Sequence, residues 1–355
     1  MATPGLFAQD HNNSSRDYSK AYYWGKNQFN SSFPASLVAY MSHKGLKPVY
    51  IKTDSTNGIV HDYISGIELF GINPMSENAF YNFEAGYNAY DMFYTGEREK
   101  IDLVMVDAAT QSALVGLEIK LTALPDNTTL KFSEDKYSCE IVVRPPTINF
   151  LACSICDKFR GINGRNELKE LLGDIHINHW EEITEVLPNF AKIRAAISRV
   201  STSLHSRQTP LIVQPIWKTK GRKPILAPDC LDVFVWSNLA VIQMCYKNED
   251  VNLPKSISRS MRAIIWLYLM LFEYSVYGQF DYKRIVRLHS YNIANDKAFA
   301  LNGTASYPYL KCEELTHPRI NKSEIKNIIL GGGQNLLSPE RRFDAAIVYS
   351  PELFE

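Results

Sequence analysis

Asp102, Glu118 and Lys120 are the residues of this chain whose types and spacing could do chemistry. They interrupt two apolar runs, IDLVMVD (101–107) and ALVGLEIKL (113–121), that read as buried β-strands. An ionised group withdrawn from water is costly unless it is paired, hydrogen-bonded or bound to a metal. Strand residues two apart point the same way, so Glu118 and Lys120 project from one face. Asp102 opens the first strand, where its carboxylate could reach the same point. Two carboxylates converging at a sheet edge make a hard-oxygen site suited to Mg²⁺ rather than zinc, and the Ile119 carbonyl could add another oxygen. A divalent ion would offset the clustered charge, stabilise charge developing on a phosphodiester and lower the pKa of a bound water. Lys120 could orient that water or neutralise the transition state. No covalent nucleophile is needed.

Glu-x-Lys alone carries little information, because surface strands have it routinely. The Asp some sixteen residues earlier, with both segments strand-like, is what sharpens the signal. The competing explanation is a salt bridge at a strand end, Glu118 with Lys120 or Arg98. A third carboxylate could come from Glu77 or Glu84 in the stretch 73–96. Glu84 is preferred, because it falls mid-helix in an aromatic setting if that stretch is helical.

The elements that must position these groups read as mixed α/β. Residues 1–33 are rich in Asn, Ser and Tyr and read as an irregular arm. Residues 34–46 read as a helix and 47–53 as a strand. The stretch 73–96 opens with Pro and Ser, closes with Gly, and reads as a helix. The two charged runs are apolar on both faces, as central strands covered by helices would be, and the polar link AATQS suits a hairpin between them. A strand is expected at 139–146, ended by two prolines. Helices are expected at 147–160 and 177–205, a strand at 210–219, and a helix at 230–246. The run AIIWLYLMLF (263–272) is about half the length that spans a bilayer, so it reads as a buried helix. The layout expected is one domain over 1–355: a catalytic core at 36–245 and a helical or mixed subdomain at 246–355.

With 38 basic and 38 acidic residues among 355, net charge gives no hint of nucleic acid. Its distribution does. From Val186 through Ala227 there is no Asp or Glu, while the stretch holds Lys192, Arg194, Arg199, Arg207, Lys218, Lys220, Arg222 and Lys223. Phosphate backbones are attracted to such a surface, and Arg or Lys can read guanine edges. Gln214 and Trp217 lie within it, and KTKGRK (218–223) reads as a loop that could enter a groove. The alternative is a solvated basic face.

Other motifs carry less. Cys153 and Cys156 form a C-x-x-C with no second pair at zinc-ribbon spacing, and read as core thiols. His176 and His179 have helical spacing but no metallohydrolase pattern around them, and read as structural or surface residues. No G-x-S-x-G and no P-loop occur, and GGG at 331–333 reads as a turn. The N-terminus lacks signal-peptide character, so a cytoplasmic protein without a membrane segment is expected.

Asp102, Glu118, Ile119 and Lys120 resemble the PD-(D/E)xK nuclease signature, with Ile101 in place of the nominal proline. The strings EKIDLVMVD, VGLEIKLTALPDNTT and CEIVVRPPTI, and similarity continuing through QPIWKTKGRKPILAPDCLDVFVWS, resemble the HindVP-like family of type II restriction endonucleases over at least 99–237. The resemblance implies a Mg²⁺-dependent enzyme that cuts both strands of DNA at a short symmetric sequence, GRCGYC for that family. It assigns Asp102 and Glu118 as metal ligands and Lys120 as the catalytic lysine. It further implies a homodimer, matching a twofold DNA site, and a cognate methyltransferase as functional partner.

The expectation is therefore an α/β, restriction-endonuclease-like fold: a central mixed sheet flanked by helices, with the site at one sheet edge. The expected reaction is hydrolysis of double-stranded DNA by metal-activated water, leaving 5′-phosphate ends, with the segment 192–223 contacting DNA. The rivals are a repair or recombination nuclease with the same site and a DNA-binding protein without catalysis.

Overall fold

The computed structural model describes residues 26–56, 58–120, 122–124, 141–219, 226–247, 256–289, 299–301 and 312–325. Lys220, Arg222, Lys223, residues 1–25 and the glycines at 331–333 lie outside these described residues.

The chain begins with α1 (Lys26–His43), then β1 (Val49–Thr53) and β2 (Ile59–Tyr63). The short α2 (Gly66–Phe70) is set by a capping box: Ser65 accepts from the Glu68 N–H and the Glu68 carboxylate accepts from the Ser65 N–H. Next come β3 (Ala79–Gly86), β4 (Tyr94–Thr95), β5 (Lys100–Asp107), β6 (Ser112–Ile119), β7 (Thr122–Leu124) and β8 (Ile141–Val143). The helices α3 (Pro145–Cys156), α4 (Gly161–Leu172) and α5 (Ile183–Ser203) lead to β9 (Pro210–Thr219) and β10 (Leu226–Ser237). Then follow α6 (Asn238–Lys247), α7 (Arg259–Tyr277), β11 (Phe280–Asp281), α8 (Tyr282–Arg287), β12 (Phe299–Leu301), α9 (Glu313–Thr316) and β13 (Ile320–Asn321).

Nine strands form one mixed sheet in the order β2-β1-β10-β9-β6-β5-β3, with β13 pairing β10 and β7 pairing β9. The pair β6–β9 is parallel, whereas β5–β6 and β3–β5 are antiparallel. Apolar residues on the two faces form two cores. One takes Ile148, Leu151, Ile197, Trp236, Trp266 and Leu267 from the sheet and from α3 through α8. The other takes Leu37, Tyr40, Phe70, Leu103, Leu117 and Val233 from α1, α2 and the opposite face. The sheet is thus covered on both sides, as apolar runs without alternation require. Helix α7, with its 263–272 run, packs in the same core as α3, α5 and α6. Among the described residues no helix is long and apolar enough to cross a membrane.

The hairpin β5–β6, the strand at 210–219 and the helix at 263–272 fall where the pattern places them. Three expectations are corrected. The stretch 73–96 is not a helix. Its Asn73 and Ser76 side chains accept from the N–H groups of Met75 and Asn78, making a turn, and the aromatic-rich residues that follow form β3. The stretch 230–246 is the end of strand β10 followed by α6, because a fully buried apolar run has no periodicity to tell strand from helix. Residues 26–33 are helical, as the start of α1, rather than part of an arm.

Candidate active site

Strand β5 has β3 on one side and β6 on the other, so the site is not on an edge strand, as expected, but one strand inside the β3 edge. The register Leu103↔Leu117, carried one residue on, sets Asp102 beside Glu118. The ladder pairing ends at that point, and the Asp102 side chain continues it: Oδ2 accepts from the Ile119 N–H at 2.7 Å. The Ile119 carbonyl points to the same strand edge as that N–H. On its other side β6 is held by β9, through Glu118↔Ile212 and the Lys120 N–H donating to the Val213 carbonyl at 3.0 Å. Gly116 makes room for this arrangement, because a Cβ there would meet the Tyr87 ring at 2.9 Å.

Lys120 Nζ donates to Glu118 Oε2 at 2.6 Å, and the Thr147 hydroxyl of α3 donates to the same oxygen at 3.2 Å. Glu118 is 5% exposed and Thr147 1%. The pairing of Glu118 with Lys120 is therefore present, whereas Arg98 pairs with Asp91 at 3.0 Å. Asp102 is pushed up to about 7, first by burial and then by the Glu118 carboxylate, with Glu84 adding to the rise; Lys120 and the Ile119 N–H oppose it. Burial by itself lowers the Lys120 ammonium, but Glu118 and Asp102 outweigh it and hold Lys120 above the usual lysine value. An aspartate raised this far by burial and by a like-charged neighbour marks a place where a negative charge lacks local compensation.

Glu84 is on β3, not on a helix. The pairs Phe83↔Leu103 and Ala85↔Ile101 set it opposite Asp102, making a row Glu84, Asp102, Glu118 across three strands. Its backbone is left-handed, with φ 50°, in the middle of that strand. Such a conformation costs a non-glycine residue roughly 1–2 kcal/mol, and strain of this kind gathers at functional sites. Glu77 is in the exposed turn at the far end of β3, beyond the Ala79↔Asp107 pair, and is remote from this row. Among the described residues no three His, Cys, Asp or Glu side chains are gathered closely enough to hold a metal ion. The donors are thus two carboxylates. The Asp102 Oδ1 and Glu118 Oε1 atoms accept no hydrogen bond among the described residues. Such a set fits Mg²⁺, which keeps several of its waters and takes one or two protein carboxylates. A cavity of about 500 Å³ lies along the same sheet, lined in part by Asn82, Asn88, Val104 and Gln111.

Thr147 escaped sequence reasoning, although it stands in the string CEIVVRPPTI. Nothing in the residue type marks it, because its contact with Glu118 follows from α3 lying over the sheet, where it packs against β9.

The basic stretch divides. Lys192 and Arg194 are exposed on α5, Lys192 beside Asn189 and Arg194 over the Tyr246 ring. Arg199 caps α4 by donating to the Leu171 and Leu172 carbonyls, and Arg207 donates to the Lys158 carbonyl. Gln214 faces the core, fully buried, and accepts from Trp236 Nε1 at 2.8 Å, so as placed it cannot touch DNA. Lys218 is half-buried near the end of β9, and burial lowers its ammonium. Cys153 and Cys156 are buried on α3, and burial raises both thiols well above their ordinary range. His176 and His179 are exposed and lie outside any helix.

The site thus sets two carboxylates and a lysine side by side in a sheet covered on both faces. The pattern of the HindVP restriction endonuclease family matches residues 24–354. The chain belongs to that family, and with it to the type II restriction endonucleases. Among its relatives are the type II restriction enzyme HgiDI of Herpetosiphon aurantiacus, 40% identical over 354 residues, covering 99% of this chain and 97% of that one. Another is the probable type II restriction enzyme HindVP of Haemophilus influenzae, 41% identical over 359 residues, covering 99% and 95%. No solved structure matches the chain.

Proposed function

We propose that this protein hydrolyses double-stranded DNA at a short symmetric sequence with Asp102, Glu118 and Lys120 as its reaction centre. The observation that carries the reading is the placement of Asp102 beside Glu118, with Lys120 paired to Glu118, in a chain of this family. Asp102 and Glu118 would hold Mg²⁺, with the Ile119 carbonyl beside them. When bound, the ion supplies Lewis-acid stabilisation of the phosphate and lowers the pKa of a bound water. Glu118 keeps the Lys120 ammonium charged and fixed at the place where negative charge develops on the phosphate. That preorganisation lowers the barrier without rearrangement during the reaction. The products are 5′-phosphate and 3′-hydroxyl ends. The recognition sequence is GRCGYC, following the family. A twofold DNA site calls for a homodimer, and self-protection calls for a cognate methyltransferase. Lys192, Arg194, Arg199, Arg207 and Lys218, with Lys220, Arg222 and Lys223, are the candidates for DNA contact.

The test is to incubate the purified protein with a plasmid of known sequence and Mg²⁺, and to sequence the fragment ends. Discrete fragments with a common end sequence are expected. Cleavage confined to branched or damaged DNA would instead favour a repair nuclease. Lys120→Ala is expected to bind the same DNA while cutting about 10²–10³-fold more slowly. Full activity in both Asp102→Ala and Lys120→Ala would overturn the assignment.

A further inference from the structure

The Glu118 carboxylate is held asymmetrically. Both of its donors, Lys120 Nζ and the Thr147 hydroxyl, meet Oε2, and Oε1 receives none among the described residues. One donor is the ammonium at the end of the long Lys120 side chain. The other is a hydroxyl at the third position of α3, a helix buried along almost its whole length. Threonine is branched at Cβ, so its hydroxyl has few rotamers and a fixed direction.

The helix start makes this hydroxyl stand out further. A helix N-terminus ordinarily offers several backbone N–H groups to a nearby carboxylate. Here the first two positions are Pro145 and Pro146, which have no N–H, and the Ile148 N–H is already donated to the Arg144 carbonyl. A ring of backbone donors would satisfy both carboxylate oxygens and compete with a cation. The proline pair removes two of those donors, the Thr147 N–H remains, and the Thr147 hydroxyl anchors one oxygen only.

We infer that Thr147 is a positioning residue for Glu118: its hydroxyl fixes Oε2 so that Oε1 is presented as the metal-binding oxygen. The inference rests on the reading that Asp102 and Glu118 hold the divalent ion. Hydrogen-bond partners of metal-binding carboxylates orient them, and losing one typically costs 10–100-fold in metal affinity or activity.

The experiment compares wild type, Thr147→Val and Thr147→Ser. Mn²⁺ binding is followed by electron paramagnetic resonance without DNA, and cleavage is followed against Mg²⁺ and DNA concentration. T147V replaces the hydroxyl with a methyl of similar size. It is expected to weaken Mn²⁺ binding about tenfold and to raise the Mg²⁺ needed for half-maximal cleavage by a similar factor. Its KM for DNA should not move. T147S retains the donor and should recover most of the loss. A purely structural role would instead lower the melting temperature and leave the Mn²⁺ affinity of the folded protein alone. If T147V does not fold, Thr147→Ala removes the same donor and is held to the same expectation. Wild-type Mn²⁺ affinity in the folded donor-less variant, with wild type cutting DNA normally, overturns this inference and leaves the proposed function standing. A wild type that neither binds Mn²⁺ nor cuts DNA overturns both.

Discussion

Asp102 shows how the cost of burial turns into a working property. Its carboxyl is raised to about 7 by burial and by Glu118, well above its value in an unfolded chain. A raised carboxyl binds its proton more tightly in the folded state, so its ionised form destabilises the fold, and that penalty is complete above pH 7. Asp102→Asn should therefore raise the melting temperature by a few degrees at pH 8, with the gain shrinking steadily as pH falls below 7; a thermal melt series from pH 5 to 9 measures it. On the proposed assignment activity should have the opposite dependence, because a carboxylate must lose its proton to bind a cation. Cleavage at low Mg²⁺ should fall as pH drops through about 7. Raising Mg²⁺ should move that limb to lower pH, since metal and proton compete for one site. A limb that ignores Mg²⁺ would remove Asp102 from the ligand set.

The strand β3 poses its question as an element. It sits beside β5 in regular register, yet Glu84 at its centre is left-handed. Glu84 raises Asp102 through space, but it is not gathered with Asp102 and Glu118 into a group of three. Its expected part is electrostatic. Glu84→Gln should shift the acid limb of cleavage to lower pH and reduce the rate less than tenfold, a bound well short of what loss of a ligand brings. A loss of 10²-fold or more would make Glu84 a ligand. The close approach of β6 to Tyr87 is a second property of elements. Gly116→Val would press a branched side chain into that ring and into Ile101, costing about 1–3 kcal/mol by overpacking. Denaturant unfolding should show the loss, and the displaced strand should lower cleavage with it.

At the scale of the whole molecule, the segment 312–325 is tied to the sheet by the β13–β10 pairing and by an ion pair on the buried Asp232. Arg319 grips Asp232 of β10 through Nε at 2.8 Å and Nη2 at 2.7 Å, and it also donates to the Lys47 carbonyl at 2.9 Å. Its guanidinium lies over the Tyr63 ring at 5.3 Å. Burial raises the Asp232 carboxyl and Arg319 pulls it back down. Arg319→Met would leave that carboxylate buried without its partner, a loss of about 3–5 kcal/mol. The loss should be largest at alkaline pH and smaller in acid, where Asp232 can take a proton. Chemical unfolding at pH 5 and pH 9 distinguishes this from simple loss of packing, which would be equal at both.

What could be read from the amino-acid order is what local pattern controls. The apolar runs at 101–107 and 113–119 are strands because nothing in them alternates or breaks, the run at 210–219 is a strand in spite of Pro215, and the charges set into the first two runs draw notice to a candidate site. The apolar run at 263–272 announces a buried helix in the same way. What only the tertiary structure decided is which residues become neighbours. The stretch 73–96 carries helix-start residues, but its side chains are drawn into a turn and its aromatics onto the sheet. Asp102 meets Glu118 through strand register, Glu84 is opposite Asp102 because β3 pairs there, and Thr147 reaches Glu118 because α3 lies over the sheet against β9. Gln214 looked like a ligand for DNA in the sequence, and in the fold its amide goes to the core, whereas Arg199 and Arg207 stay exposed while also donating to the Leu171, Leu172 and Lys158 carbonyls. Periodicity is a property of a few consecutive residues; partnership between segments tens to hundreds of residues apart depends on packing, which no local pattern contains.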